Sequence, residues 1–458
     1  PSQAMPVRFH PLQIAVVLSA AACGGPAKPS DAARAAVVVP SAPPAAHATP
    51  AAATKKVLAT RLSAGDNYTC AVLRTGAVKC WGDGDELGLG DHENRGDDPN
   101  EMGDALPAVD LGKGRTAISV SAGAEHRCAV LDTGAVKCWG SGADGRLGLG
   151  DTKARGAAPN EMGDALPAVD LGTGRTALAV SAGFSHTCAL LDTGAVKCWG
   201  KGDSGRLGIG DDNTRGDNPK EMGDALPAVD LGTGRTAVAV SAGGFHTCAV
   251  LDTGAVKCWG DGLSGQLGLG VTEIRGNDPS AMGDGLPAVD LGTGRTAVAL
   301  SAGTLHTCAV LDTGAIKCWG SGSSGELGVG DDKTRGDNPK EMGDALPAVD
   351  LGTGRTAVAV SARVRHTCAV LDTGAVKCWG DTPPVRYEAS QGDAVPLGRG
   401  RTAVAVSAGV THTCAVFDTG AVKCWGGGYS GALGLGNGAD RDGELDKLPT
   451  VDLGGLVR

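Results

Sequence analysis

Aromatic side chains are scarce in this 458-residue chain: 7 Trp, 3 Tyr and 4 Phe make up 3% of it. A core of stacked rings is thereby excluded, and small aliphatic side chains must fill whatever space the fold encloses. Long apolar runs are missing too. The most extended, Leu12 to Ala22 (LQIAVVLSAAA), has eleven residues, whereas a membrane-spanning helix needs about 20. Positive charge is in deficit, with 41 Lys and Arg against 51 Asp and Glu, a formal net charge of −10. That balance argues against a general nucleic-acid binder, which relies on a basic stripe to displace counterions from phosphates. Catalytic signatures are absent as well: the chain holds no GxSxG, no HExxH and no P-loop, so the reading is non-catalytic.

Glycine, in contrast, is abundant at 75 residues and cysteine is frequent at 15. Gly does not recur at every third position, which rules out collagen. A hydrophobic content of 41% in a regular pattern buries enough surface to exclude disorder for most of the chain. Charge divides the chain: residues 1–56 carry Arg8, Lys28, Arg34, Lys55 and Lys56 against Asp31, so the rest bears −14. Arg8 and His10, the short apolar run and small residues before Cys23-Gly24-Gly25 form a secretory signal, with Met5 as a candidate start. Small residues directly before Cys23 resemble the bacterial lipobox, although Ala20 stands where Leu is usual and Leu18 lies two residues early. The expectation is a signal over 1–23 ending in a lipidated Cys23, an Ala/Pro-rich disordered linker over 24–56, and a folded domain over 57–458. The protein is then exported to the outer membrane, cell surface or periplasm through a lipid anchor; without lipidation at Cys23 it is secreted.

Internal repetition dominates the folded part. Seven Cys-x9-Cys-Trp-Gly units begin at Cys70, Cys128, Cys188, Cys248, Cys308, Cys368 and Cys414, at spacings of 58, 60, 60, 60, 60 and 46. Within the unit from Thr236 to Gly270, TAVAVSAG, HTCAVL and AVKCWG are predicted strands. PAVDL, ahead of each TAVAV from the second unit to the sixth, is a predicted fourth. This predicts an all-β chain, a seven-bladed β-propeller of four-stranded antiparallel blades. The first unit has no PAVDL ahead of it and the chain ends in Pro449-Thr450-Val451-Asp452-Leu453. The C-terminal strand is therefore expected to complete the first blade and close the ring, leaving none of the exposed edges of an open solenoid.

The hairpin register sets Cys248 opposite Cys258, Ala249 opposite Lys257 and Val250 opposite Val256, around Asp252-Thr253-Gly254. Opposed cysteines on antiparallel strands are within disulfide reach. The pairing predicted is Cys70 with Cys80, Cys128 with Cys138, Cys188 with Cys198, Cys248 with Cys258, Cys308 with Cys318, Cys368 with Cys378, and Cys414 with Cys424. Cys23 is left over for lipidation. A zinc set of His246, Cys248 and Cys258 is the rival; export into oxidising surroundings and the lack of CxxC spacing favour disulfides. The recurrent histidines 126, 186, 246, 306, 366 and 412, with Tyr68 in the first unit, read as structural hydrogen-bonding groups, and the seven Trp as packing. The lysine after Val, or after Ile316 in the fifth unit, reads as an exposed strand position.

The unit HTCAVLDTGAVKCWGxGxxGxLGxG resembles the regulator of chromosome condensation repeat: an apolar strand, a Gly turn, a Val strand ending in Trp-Gly, then a Gly-rich tail. Trp-Gly stands in all seven units and LGxG in six, and the likeness spans about residues 57 to 458. The resemblance implies a seven-bladed propeller serving as a rigid interaction surface. The family's eukaryotic founder is a nucleotide exchange factor for a small nuclear GTPase, a role at odds with an export signal and a disulfide ladder. Its exported bacterial relatives include a propeller that inhibits β-lactamase, so the resemblance allows a role outside the cytosol by binding protein. The Gly-Trp-Arg-His-Thr motif of the plant ultraviolet-receptor members has no counterpart, since Gly243-Gly244-Phe245-His246-Thr247 stands there.

Recognition residues are sought where near-identical repeats differ, because loops on a rigid scaffold carry specificity. After each Ser-Ala-Gly the next pair varies: Asp66-Asn67, Ala124-Glu125, Phe184-Ser185, Gly244-Phe245, Thr304-Leu305, Val364-Arg365 and Val410-Thr411. Phe184, Phe245 and Leu305 are candidate contacts. The sixth unit departs furthest, with Arg363 in place of Gly and a connection DTPPVRYEASQGDAVPL, and Arg363, Arg365, Arg386 and Tyr387 form a predicted basic and aromatic patch. The loop from Asp211 to Asp217 resembles the start of a calcium loop, offering Asp211, Asn213 and Asp217 as candidate ligands. It departs at Arg215 and at Met222, where the bidentate Glu belongs. No cofactor is called for. The function read from the sequence is that of a monomeric extracytoplasmic scaffold binding a protein or a polysaccharide; a glycan-active hydrolase or lyase using loop carboxylates is the alternative.

Overall fold

Each cysteine hairpin adopts the register its residues dictate. Cys248 pairs with Cys258, Ala249 with Lys257 and Val250 with Val256, and the turn closes through Leu251 N to Ala255 O at 2.8 Å, with Gly254 at φ 78°. A side chain there would suffer the left-handed strain that Gly avoids. All seven predicted disulfides are present, their Cα atoms 4.0 to 4.1 Å apart. The zinc alternative is thereby excluded at these cysteines. This computed structural model describes residues 59–382, 385–387, 394–398 and 400–454, with residues 59, 60, 86, 382 and 385–387 described by backbone alone. The expected signal, Cys23 and the linker lie outside the described residues.

Seven antiparallel sheets follow one another along the chain. Their inner strands are Ala59–Ala64, Ala117–Ala122, Ala177–Ala182, Ala237–Ala242, Ala297–Ala302, Ala357–Ala362 and Ala403–Ala408. The middle strands are Tyr68–Leu73, His126–Leu131, His186–Leu191, His246–Leu251, His306–Leu311, His366–Leu371 and His412–Phe417. The outer strands are Val78–Gly82, Val136–Gly140, Val196–Gly200, Val256–Gly260, Ile316–Gly320, Val376–Thr382 and Val422–Gly426. Among the described residues the blades thus have three strands, not the four expected, and only the sixth gains another, Val385–Tyr387. PAVDL fails as a strand because it makes one ladder bond per blade, as in Val229 N to Val196 O at 2.8 Å. Pro has no N–H to give. The Asp230 carbonyl is diverted to Gly283 N of the next blade, and its carboxylate to Gly232 N.

The same bond corrects the expected closure. Val451 N donates to Val422 O, so the C-terminal stretch belongs to the seventh blade and does not complete the first, whose own PAVDL is bound through Val109 N to Val78 O. The first and last sheets instead meet side by side, by the contacts that join every other pair. A serine hydroxyl of each inner strand accepts the N–H of an alanine in the next: Ser63 from Ala122, Ser121 from Ala182, and so on to Ser407 from Ala64. Seven apolar clusters fill the seven seams, and that between the last and first blades joins Leu73, Trp81 and Leu106 to Val416, Val422 and Leu433. Among the described residues no strand is shared between sheets, so the ring is made of packed sheets and is not a closed barrel.

Trp and Lys lock the seams. Trp199 and Trp259 are fully buried, their Nε1 donating to the carbonyls of Arg146 and Arg206 in the preceding blade. Gly148, at φ 68°, must lack a side chain because a Cβ would lie 2.8 Å from Trp199 Nε1. The repeated lysine was expected to be exposed, yet six of the seven are buried. Lys197 Nζ donates to Leu171 O at 3.1 Å and Gly223 O at 2.7 Å, tying its blade's own loop to the previous blade. Burial lowers its pKa, opposed by Asp224 and Asp170. In the sixth blade the shortened connection supplies no such glycine, and Lys377 is only half-buried on Asp350 O.

Candidate functional site

The variable pairs all emerge on one face. In every blade the first residue after the outer strand's Trp-Gly, or its counterpart, bonds back to the second residue of the pair: Asp83 N to Asn67 O, Ser141 N to Glu125 O, Lys201 N to Ser185 O, Asp261 N to Phe245 O, Ser321 N to Leu305 O, Asp381 N to Arg365 O and Gly427 N to Thr411 O. Inner-to-middle loops and Gly-rich tails therefore share this loop face. The hairpin turns lie at the opposite ends of the same strands.

At its centre sits Arg363. This side chain comes from the sixth blade, yet its Nη2 donates to Asp66 Oδ1 of the first at 3.0 Å, and its guanidinium lies 5.4 Å from the ring centroid of Phe184 in the third. A residue touching the first and third blades from the sixth must occupy the ring axis. Arg363 is 9% exposed, which corrects its predicted place in an exposed patch. Phe184 meets Phe245 edge to face at 6.3 Å, and Arg206 covers Phe245 at 5.2 Å. Beside them Arg146 Nη1 donates to Glu125 Oε2 at 3.1 Å and to Phe184 O at 3.4 Å. The mouth is thus an aromatic pair laced with guanidinium groups and carboxylates.

Arg363 also stands at a break in a backbone pattern. At five seams the residue after Ser-Ala-Gly donates to the next blade's equivalent glycine position, as in Phe184 N to Gly243 O and Thr304 N to Arg363 O. Among the described residues this bond is not formed between the sixth and seventh blades, nor between the first and second, where Gly123 O accepts from Tyr68 Oη instead. Gly is usual at this position because a Cβ at Gly123, for example, would lie 2.5 Å from Gly183 O; Arg363 carries such a Cβ at the sixth-to-seventh seam.

A second ring runs beneath. His186 Nε2 pairs with Thr247 Oγ1 at 2.8 Å, and the same contact joins His126 to Thr187, His246 to Thr307, His306 to Thr367, His366 to Thr413 and His412 to Thr69. The histidines are fully buried. Desolvation pushes His246, His306 and His412 down to about 3 and His366 to about 4, and His126 and His186 well below the usual imidazole range. The charges of Arg146, Arg127 and Arg363 all bear on His126. The seam between the first and second blades differs: Tyr68 replaces His and Arg127 replaces Thr. Tyr68 Oη donates towards Gly123 O at 2.9 Å and His126 O at 2.8 Å, while Arg127 stacks 3.5 Å above its ring.

The other candidates are dispersed. Phe245 and Arg365 are exposed, and Leu305 is half-buried, on the loop face. Arg386 and Tyr387 lie in the extra strand, paired with Asp381 and Gly380, and their side chains lie outside the described residues. Arg365 bonds Asp381 through the backbone, so it stays one strand from that pair while Arg363 does not. The calcium-loop reading finds Asp211 occupied: Oδ1 accepts from Asn213 N and Oδ2 from Arg215 Nη2 at 2.7 Å. Among the described residues no three His, Cys, Asp or Glu gather as a metal set. Missed at the mouth were Arg146 and Arg206, whose signal was the variable position before each LGxG, and Arg127, whose signal was the one HRC among six YTC or HTC units.

Comparison with known proteins gives the same architecture. A model of the regulator of chromosome condensation repeat matches residues 403–432. Protein pim1 of Schizosaccharomyces pombe is 28% identical over 75% of this chain and 62% of its own length. The ultraviolet-B receptor UVR8 of Arabidopsis thaliana is 32% identical over 59% of this chain and 55% of its own. The chain therefore spans less than two thirds of these relatives. The crystal structure of yeast RCC1 (Prp20) bound to Kap60 superposes with a TM-score of 0.60 at 19% identity, covering 90% of both chains, a likeness of fold. Since the model of the RCC1-like domain matches residues 31–387, well over half its length, this chain belongs to the RCC1-like domain family.

Proposed function

We propose that the protein is a non-catalytic binding scaffold whose recognition surface is the loop face around the ring axis. The observation that carries this is the distribution of difference: repeats that are otherwise near copies diverge in the paired residues that this one face gathers, and exposed Phe245 and Arg365 stand among them. Rigid sheets hold those residues in place, which reduces the ordering cost of binding. Yeast RCC1, similar in fold, is solved bound to Kap60. The partner here is a protein. Immobilised wild-type propeller should retain a partner from envelope or medium extracts, and Phe245→Ala, Leu305→Ala and Arg365→Glu together should weaken the purified pair by about 100-fold. Equal affinity of wild type and variant would remove the loop face from the reading.

The workplace proposed is outside the cytoplasm, at a membrane through lipidated Cys23. Fourteen cysteines held in seven disulfides support an oxidising compartment, and the residues before Cys23 support the anchor. Cys23→Ser should move the protein from the membrane fraction to the soluble exported fraction; an unchanged distribution would refute the anchor.

A further inference from the structure

Two buried polar atoms at the axis have no partner. Arg363 is 9% exposed and its Nε–H bonds nothing; Thr304 is 8% exposed and its Oγ1 likewise. The two residues adjoin, Thr304 N donating to Arg363 O at 3.1 Å. Asp66 takes only Nη2 of the guanidinium, so Arg363 is paired without being saturated. A buried donor left unbonded is costly in its own right, and Arg363 is further anomalous because six of the seven repeats carry Gly at this position.

We propose that the ring axis is a carboxylate receptor, in which an acidic side chain at the tip of a partner protein's loop accepts from Arg363 Nε and Thr304 Oγ1. Both vacant groups can donate, and a carboxylate is the acceptor-only group that satisfies two donors at once. The inference rests on the scaffold reading and names what the loop face grips. A protein loop is favoured over a sugar acid by the surroundings: one face of each Phe ring, where a sugar would stack, is already covered by Arg363 or Arg206. The rim also offers exposed aliphatic and aromatic side chains at Leu263 and Phe245. Asp66 is the internal competitor, a carboxylate of the protein's own that holds the guanidinium until the partner arrives.

Arginine Nε–H signals of the whole chain, labelled with nitrogen-15, read the group directly, and Arg363→Gly assigns the signal while installing the residue the other repeats carry. The probes are an acetylated, amidated peptide with one Glu, its Gln counterpart, and glucuronate. The Glu peptide should shift Arg363 Nε–H saturably, with the Gln peptide inert. Asp66→Asn should lower the half-saturating concentration about threefold or more, and Thr304→Val should raise it by a similar factor. No saturable shift with the Glu peptide in either wild type or Asp66→Asn overturns the receptor. Glucuronate saturating at about tenfold lower concentration than the peptide overturns the assignment to a protein loop. The titration needs no partner, so a flat signal with partner capture intact defeats the axial pocket alone, and a saturable signal with no loop-face dependence of capture defeats the scaffold reading alone.

Discussion

Taking the protein from pH 7 to pH 5.5 should remove about 5 kcal/mol of its unfolding free energy through four histidines alone. His246, His306 and His412 titrate at about 3 and His366 at about 4 in the fold, against about 6.5 in an unfolded chain. Their folded pKa is depressed, so the unfolded state takes up protons first. Stability is full above pH 6.5, falls as pH drops below it, and stops falling from this source once the folded imidazoles also protonate. His126 and His186 act in the same sense. Glu326, Asp217 and Asp337 oppose them, since burial raises their pKa values, but they are three groups against six. Urea unfolding midpoints measured at half-unit pH steps check this, and His246→Gln should reduce the pH slope by about one part in six. A midpoint constant from pH 7 to 5 would contradict the burial of the ring.

The largest single-site effects are expected where the ring breaks its own rule. At the first seam Arg127 is fully buried and stacked on Tyr68, whose hydroxyl reaches two carbonyls of the second blade. Tyr68→His removes the ring from under a buried guanidinium, and Arg127→Thr opens a void above the tyrosine. Each should cost about 2 to 4 kcal/mol. The double variant Tyr68→His, Arg127→Thr reproduces the pair found at the other six seams and should return to within about 1 kcal/mol of wild type, a strong coupling between the two sites. Chemical unfolding of the four proteins measures it. Simple addition of the two losses would show that the pair does not exchange as a unit.

How much of this was legible in the sequence depended on distance along the chain. The hairpins, their register and all seven disulfides follow from pairs ten residues apart, where period and turn decide the geometry. The number of blades follows from counting. PAVDL misled because its apolar alternation is that of a strand; its Pro was visible in the sequence, whereas the next blade's demand for its Asp carbonyl is set by a neighbour. The phase of the repeat misled for a related reason: a circular array has no marked beginning, and only the bond from Val451 to Val422 tells which blade owns the last segment. The lysines read as exposed because their alternation was judged within one sheet, while the carbonyls that bury them come from their own blade's later loop and from the blade before. Arg363 was visible as an oddity. Its partners, 297 residues away at Asp66 and in another blade at Phe184, were beyond any local rule.

Closure at a seam between blades, with no strand exchanged, carries a consequence for how the chain is made. Every sheet and its disulfide is complete within its own stretch of chain, so each can form as that stretch emerges, through short-range contacts that are fast to find. One joint alone must wait until the seventh blade has been made: the pairing of Thr69 with His412, 343 residues apart, and the apolar cluster around it. The slow step of folding is therefore the arrival of the seventh blade against the first, and the nascent protein is an open arc of finished blades until that moment.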